Sequence, residues 1–182
     1  MTEQEFQNNF TVRRLDPGQK IGEFDCLDND LNDFIRNEAL DYEKSLFSMT
    51  YLINDKKTGE LAAYFSLAND KISITDFESK TDFNRFRKQK FVNEKRLRSY
   101  PALKIGRLAI SRKYQNQSLG RILIDFIKQY SLRSRYAGCR FVTVDAYINA
   151  LPFYIKNDYQ FLNNDDEDKN TRVMYFDLAS LL

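Results

Sequence analysis

The chain has 182 residues, 42% of them hydrophobic and 14% aromatic, which suits one domain with a substantial core and argues against intrinsic disorder. Its 28 basic and 26 acidic residues nearly cancel to a formal charge of +2, so net charge by itself selects neither a nucleic acid nor a membrane as partner. Histidine is absent, which excludes every histidine-based triad and argues against a zinc site; proton transfer falls to Tyr, Asp, Glu, Lys, Cys or water.

The acidic, polar start Met-Thr-Glu-Gln-Glu-Phe does not read as a signal peptide, and no apolar run reaches membrane-spanning length. Cys26 and Cys139 stand far apart and in no metal-ligand spacing, so they read as reduced thiols of a cytoplasmic protein. Thr11 to Leu15 is predicted as a strand, ended by the turn residues Asp16-Pro17-Gly18. Asp28-Asn29-Asp30 offers N-caps to an amphipathic helix carrying Leu31, Phe34, Ile35, Ala39 and Tyr42. Phe47 to Asn54 and Leu61 to Ala68 alternate as strands around a hairpin loop at Asp55–Gly59, and Ile72 to Ile74 continues or pairs with that sheet.

From about residue 76 to 100 the pattern dissolves into a charged insertion. Arg85, Arg87, Lys88, Lys90, Lys95, Arg96 and Arg98 fall there with Phe83, Phe86 and Phe91 between them, and Glu94 is the lone acid from Arg85 onward. Basic groups interleaved with aromatics suit RNA, through phosphates and base stacking. The plainer reading is a solvated helical lid whose aromatics pack onto the domain, and tRNA binding at physiological salt is not expected.

Pro101 is expected to end the insertion, with a strand from Lys104 to Ile110, a polar turn from Arg112 to Leu119, and a helix that buries Ile122, Leu123, Phe126, Ile127 and Tyr130. Strand, polar loop and long helix in that order place backbone N–H groups at a helix N-terminus, where the dipole also favours anions, phosphates above all. The alternative is a capped strand-helix turn. Arg140 to Tyr147 reads as a central buried strand, and Asn149 opens a short helix with Pro152 in its first turn. Tyr159 to Leu162 and Arg172 to Leu178 are the last strands, around an acidic loop from Asn163 to Asn170. No linker, repeat or second domain is evident over residues 1–182.

The loop Gln115-Asn116-Gln117-Ser118-Leu119-Gly120-Arg121 resembles the pyrophosphate loop of the GNAT N-acetyltransferase superfamily, Gln/Arg-x-x-Gly-x-Gly/Ala. Ser118 stands where the first glycine is usual; its Cβ resists positive φ, while its hydroxyl offers a hydrogen bond to a phosphate or a cap to the helix. The segment Asp145 to Phe161 resembles the family's Asn-x-x-Ala-x-x-Phe-Tyr-x-x-x-Gly-Phe ending through Asn149, Phe153, Tyr154 and Phe161, with Asp158-Tyr159 near the usual Gly-Phe. Together the two motifs cover roughly Lys104 to Phe161. Phe24-Asp25-Cys26, then Leu31 to Arg36 with Ala39, and Tyr64 to Ala68 are similar to the branch of the family that includes toxins of toxin–antitoxin pairs acetylating aminoacyl-tRNA.

The resemblance implies a mixed α/β fold, a central twisted sheet of about six or seven strands flanked by helices, with a V-shaped splay between two central parallel strands. It implies acetyl-CoA as cosubstrate, no metal, and N-acetylation of a primary amine. Backbone groups of Leu108, Ala109 and Ile110 would pair with pantetheine, and Gln115, Asn116, Gln117, Ser118, Leu119, Gly120 and Arg121 would hold the pyrophosphate. Tyr154 maps onto the general acid, a phenol protonated at neutral pH beside a departing thiolate basic enough to accept its proton; the alternative is a packed aromatic among 11 tyrosines. Asn149 orients the cofactor or caps a helix. Asp145 is a candidate base through a bridging water, although toxin-type members manage without one, since an α-amino group of pKa about 7.7–8.0 is largely neutral near physiological pH. Besides acetyl-CoA and an amine acceptor, a homodimer, tRNA and a ribbon-helix-helix antitoxin stay open as partners, and a non-catalytic acyl-CoA-binding module stays open as a function.

Overall fold

The computed structural model describes residues 1–18, 21–91, 97–133, 137–164 and 170–182. In chain order the elements are α1 (Glu3–Asn9), β1 (Phe10–Arg14), α2 (Asn29–Asp33), a π-helical turn (Phe34–Glu38) running into α3 (Ala39–Lys44), β2 (Met49–Asp55) and β3 (Leu61–Ser73). There follow α4 (Lys80–Lys90), β4 (Ser99–Ile110), α5 (Leu119–Arg133), β5 (Phe141–Tyr147), α6 (Leu151–Ile155), β6 (Gln160–Phe161) and β7 (Thr171–Asp177). The strands form one mixed sheet in the order β1-β2-β3-β4-β5-β7-β6. Its parallel pair is β4-β5, joined through α5 as a parallel connection requires. Helices flank the sheet, which is the expected fold class.

Backbone contacts cluster into two compact units, Met1–Ala68 with Ile105–Gln129, and Asn69–Lys104 with Tyr130–Leu182. In the first, β1 and β2 pair antiparallel from Phe10–Asp55 to Arg14–Tyr51, and β2 pairs with β3 from Met49–Leu67 to Asn54–Leu61. Apolar side chains of α2, the π turn and α3 pack with Leu15, Phe24, Leu52, Leu61, Tyr64 and Ala109 as its core. Asp28 caps α2 by accepting from the Leu31 N–H at 3.1 Å, as the sequence leads one to expect. The N-terminal helix α1 was not anticipated, although Thr2 and Glu5 form a reciprocal capping box legible in the sequence. A Cβ at Gly106 would stand 3.0 Å from Ser66 Oγ, tighter than an ordinary contact, so any larger residue there needs that hydroxyl to move.

The second unit holds β5 and β7, antiparallel from Phe141–Asp177 to Tyr147–Thr171, with β6 on the far side of β7. Its core contains Ile72, Phe83, Phe86, Tyr100, Phe141 and Tyr175. The insertion is therefore ordered around α4, capped by Ser79, whose Phe83 and Phe86 are buried in that core. Phe91 stacks on Tyr100 with ring centroids 4.2 Å apart. This is the packed-lid arrangement; Lys95, Arg96 and Glu94 lie outside the described residues, as does residue 165–169 of the acidic loop.

Several boundaries differ from expectation. β4 starts at Ser99, so Pro101 sits inside the strand rather than before it. Proline lacks only the donor, and its carbonyl still accepts from the Arg140 N–H at 2.9 Å. β3 runs on to Ser73 before a short 3₁₀ turn at Ile74–Asp76. On α5, Tyr130 is 38% exposed while Ile124 is buried, because the inward face turns by one residue from the expected stripe. No helix among the described residues is long and apolar enough to cross a membrane.

Candidate active site

In the first unit β4 delivers the chain through Leu108, Ala109 and Ile110 into the polar loop. Ala109 is buried, and Leu108 and Ile110 are half-buried. A 3₁₀ turn at Arg112–Tyr114 follows, then Gln115 in extended conformation. Asn116 and Ser118 both take left-handed backbone angles, with φ of 60° and 64°. Ser118 thus occupies the conformation that made glycine the usual residue there. Alternation of φ sign along such a loop turns successive N–H groups toward one side, forming an anion-binding concavity. Among the described residues no acceptor is found for any main-chain N–H from Gln115 to Arg121; the first helical bond of α5 runs from the Ile122 N–H to the Ser118 carbonyl, 3.2 Å.

Side chains divide into those that build the loop and those that are open to a ligand. Gln115, expected to touch pyrophosphate, turns inward: its Nε2 donates to the carbonyls of Ile110 at 3.0 Å and Cys26 at 3.2 Å. Gln117 donates to the Lys113 carbonyl at 3.0 Å. The Ser118 hydroxyl is exposed and makes no hydrogen bond among the described residues, so it does not cap α5. Arg121 extends into solvent, 4.0 Å from Asp125, while Leu119 is buried as an anchor.

The segment Phe24-Asp25-Cys26 braces this loop, which sequence reasoning did not detect. The Arg112 N–H donates to the Asp25 carbonyl at 2.8 Å, and Gln115 reaches Cys26 as above. Asp25 in turn accepts from the Leu27 N–H at 2.9 Å and from Asn32 at 3.2 Å; these bonds hold its carboxyl below the ordinary range. Asn32 accepts from the Cys26 N–H at 2.9 Å, and burial pushes the Cys26 thiol up, leaving it an inert packed group. No local spacing announces a contact between residues so far apart in the chain.

The second unit carries the remaining candidates. Pro152 sits in the first turn of α6, and Tyr154 is buried on that helix, edge-on to Phe153 and Tyr159 with centroids 5.2 and 5.3 Å away. Burial alone raises the Tyr154 phenol well above its ordinary value, so it stays protonated at any physiological pH. Asp158 takes φ of 65°, and the Tyr159 N–H closes back on the Tyr154 carbonyl at 3.1 Å. The aspartate therefore makes the left-handed turn for which the family uses glycine. Asn149 is exposed in a 3₁₀ turn, Ile148–Ala150, and caps neither that turn nor α6. Asp145 is ion-paired with Lys104, which explains its presence without a catalytic role.

A strand feeding a loop whose N–H groups have no acceptor among the described residues, at the start of a long helix in a mixed sheet, is the arrangement expected of an acetyltransferase. Residues 78–178, just over half of the chain, match the Acetyltransferase (GNAT) domain family, and the protein belongs to it. No curated protein matches the sequence. Among solved structures the fold is similar to a tyrosine-to-phenylalanine mutant of KacT, at 20% identity over 95% of this chain and 97% of that one, TM-score 0.75. It is also similar to AtaT complexed with acetyl-methionyl-tRNAfMet, at 21% identity over 95% and 97%, TM-score 0.72. A structure described as a bacterial toxin matches at 15% identity over 94% and 92%, TM-score 0.76.

Proposed function

We propose that this acetyltransferase moves the acetyl group of acetyl-CoA onto a primary amine. The observation that carries the reading is the run of main-chain N–H groups from Gln115 to Arg121, at the N-terminus of α5, that have no acceptor among the described residues. A pyrophosphate supplies the acceptors those donors lack, in the field of the helix dipole. Backbone groups of Leu108, Ala109 and Ile110 hold the pantetheine arm, Asn149 offers an exposed amide toward the cofactor, and Arg121 adds a cation. Bound acetyl-CoA supplies an activated acyl group on a thiol leaving group. Tyr154 keeps its proton because it is buried, and gives it to the departing thiolate; the proton that the acylated amine sheds passes through water and restores the phenol. No base is assigned, since Asp145 is engaged by Lys104; an acceptor of low amine pKa needs none.

A second reading is favoured by the fold. AtaT is known in complex with acetyl-methionyl-tRNAfMet, and also with its antitoxin AtaR; KacTA is known bound to DNA. In this reading the acceptor is the α-amino group of an aminoacyl-tRNA and a ribbon-helix-helix protein is the partner. Acetyl-CoA turnover measured against small amines, peptides and charged tRNA separates the readings. Acetylation of charged tRNA alone selects the second; binding of acetyl-CoA with turnover on none of them leaves a binding module and refutes the enzymatic proposal.

A further inference from the structure

The basic residues of the insertion fall into two sets. Arg85 pairs with Asp82 at 3.1 Å, and Lys90 lies 3.8 Å from Asp177, so these charges are balanced locally. Lys80, Lys88 and Arg98 have no acidic partner among the described residues, and all three line one cleft of about 700 Å³ in the second unit. Asn84 adds a neutral donor to its wall, Ile74, Phe83 and Leu97 supply apolar surface, and Arg87, which has a partner of its own, completes it. No aspartate or glutamate is among the described lining residues.

Like charges lining one cleft focus a potential of one sign there and raise the local concentration of counter-ions. Lys80, Lys88 and Arg98 are exposed, so their charges give the mouth of the cleft a positive potential that favours an anion. The volume lies within the range of small-molecule sites. Three cations without an acidic partner among the described residues match a compact multivalent anion, whereas an RNA backbone is held by many phosphate contacts along its length.

We propose that this cleft binds a small phosphate-bearing molecule of the diphosphate type through Lys80, Lys88 and Arg98. The site belongs to the second unit and is separate in its residues from the Gln115–Arg121 loop. Asn84 donates to an ester or hydroxyl oxygen, and the apolar wall accepts a flat or aliphatic substituent. The assignment does not rest on the acetyl-transfer reading.

Titration calorimetry with inorganic pyrophosphate tests it, on protein first saturated with coenzyme A so that the other loop is filled. One saturable event is expected, weakened at least about tenfold in the K80Q/K88Q/R98Q variant and by less in Lys88→Gln, which changes one exposed side chain and safeguards against misfolding. The triple variant is expected to melt close to the parent, because the three side chains are exposed and have no ion-pair partner among the described residues. Absence of pyrophosphate binding at millimolar concentration, or equal binding by parent and Lys88→Gln, overturns the proposal. A short 5′-phosphorylated RNA provides the second arm: if it binds through these residues more tightly than pyrophosphate, the small-molecule assignment fails and the cleft belongs to RNA. Should coenzyme A itself not bind, the acetyl-transfer reading falls while the comparison between parent and variants still decides this one.

Discussion

Gln115 donates to the carbonyl of Cys26 across 3.2 Å, tying the Gln115–Arg121 loop to a segment far back in the chain. The same amide nitrogen reaches the Ile110 carbonyl at 3.0 Å, so one side chain fixes both the end of β4 and the bracing segment. Gln115→Ala removes both bonds and is expected to lower unfolding free energy by about 1–3 kcal/mol, at roughly 0.5–1.5 each. Acetyl-CoA affinity should fall as well, through loss of loop order. Gln115→Glu sets a carboxylate against two carbonyl oxygens and should be worse at neutral pH, recovering as acid protonates it. Denaturant titration at two pH values distinguishes this brace from a direct ligand contact, which would weaken binding and spare stability.

Ser118 offers a cleaner separation of backbone from side chain. With φ of 64° the serine backbone is strained, and its hydroxyl makes no hydrogen bond among the described residues. Ser118→Gly should change stability by no more than about 1 kcal/mol, relief of strain being offset by glycine's greater unfolded-state entropy. Acetyl-CoA affinity should hold or tighten. Ser118→Val, β-branched and intolerant of that angle, should weaken both. A marked loss of affinity in the glycine variant, seen by calorimetry, would instead give the hydroxyl to a phosphate.

For Tyr154→Phe we expect turnover to drop by about 10²–10⁴-fold with little change in acetyl-CoA affinity, because the phenol acts on charge that develops as the thioester breaks. Stability should shift by less than about 1.5 kcal/mol, since the ring and its contacts with Phe153 and Tyr159 remain. In the parent enzyme the raised phenol predicts no loss of rate from its ionisation up to about pH 10, the ordinary value for tyrosine. Parent-like turnover in the variant, measured beside a binding isotherm, would assign the proton to another donor.

Alkaline unfolding follows from the same burial. Tyr64 and Tyr154 are raised by burial, and Tyr175 is pushed up to about 12 by burial and then by the nearby charge of Asp177. The folded state thus holds these protons more tightly than the unfolded chain, whose tyrosines titrate near about 10. Their contribution is fully present below about pH 10 and is lost as pH rises, for Tyr175 across about 10 to 12. Near-ultraviolet tyrosinate absorbance should lag behind that of free tyrosine and then rise together with unfolding. A titration curve that matches free tyrosine would contradict it.

How far the sequence reaches depends on how local each cause is. Strand, polar loop and helix around Ser118 were legible because alternation, turn residues and the apolar face of α5 are properties of neighbouring residues. The motif around Tyr154 was legible for the same reason, down to Asp158 standing where a left-handed turn needs glycine. The charged insertion defeated pattern reading, since the burial of Phe83 and Phe86 that orders α4 comes from Tyr100, Phe141 and Tyr175, distant in the chain. Only the tertiary structure showed Gln115 turned inward onto Cys26, Asp145 taken by Lys104, and the basic residues of the insertion sorted into balanced and unbalanced sets. Each of those depends on which side chains long-range folding brings within hydrogen-bond or Coulomb range, and no periodicity along the chain encodes that.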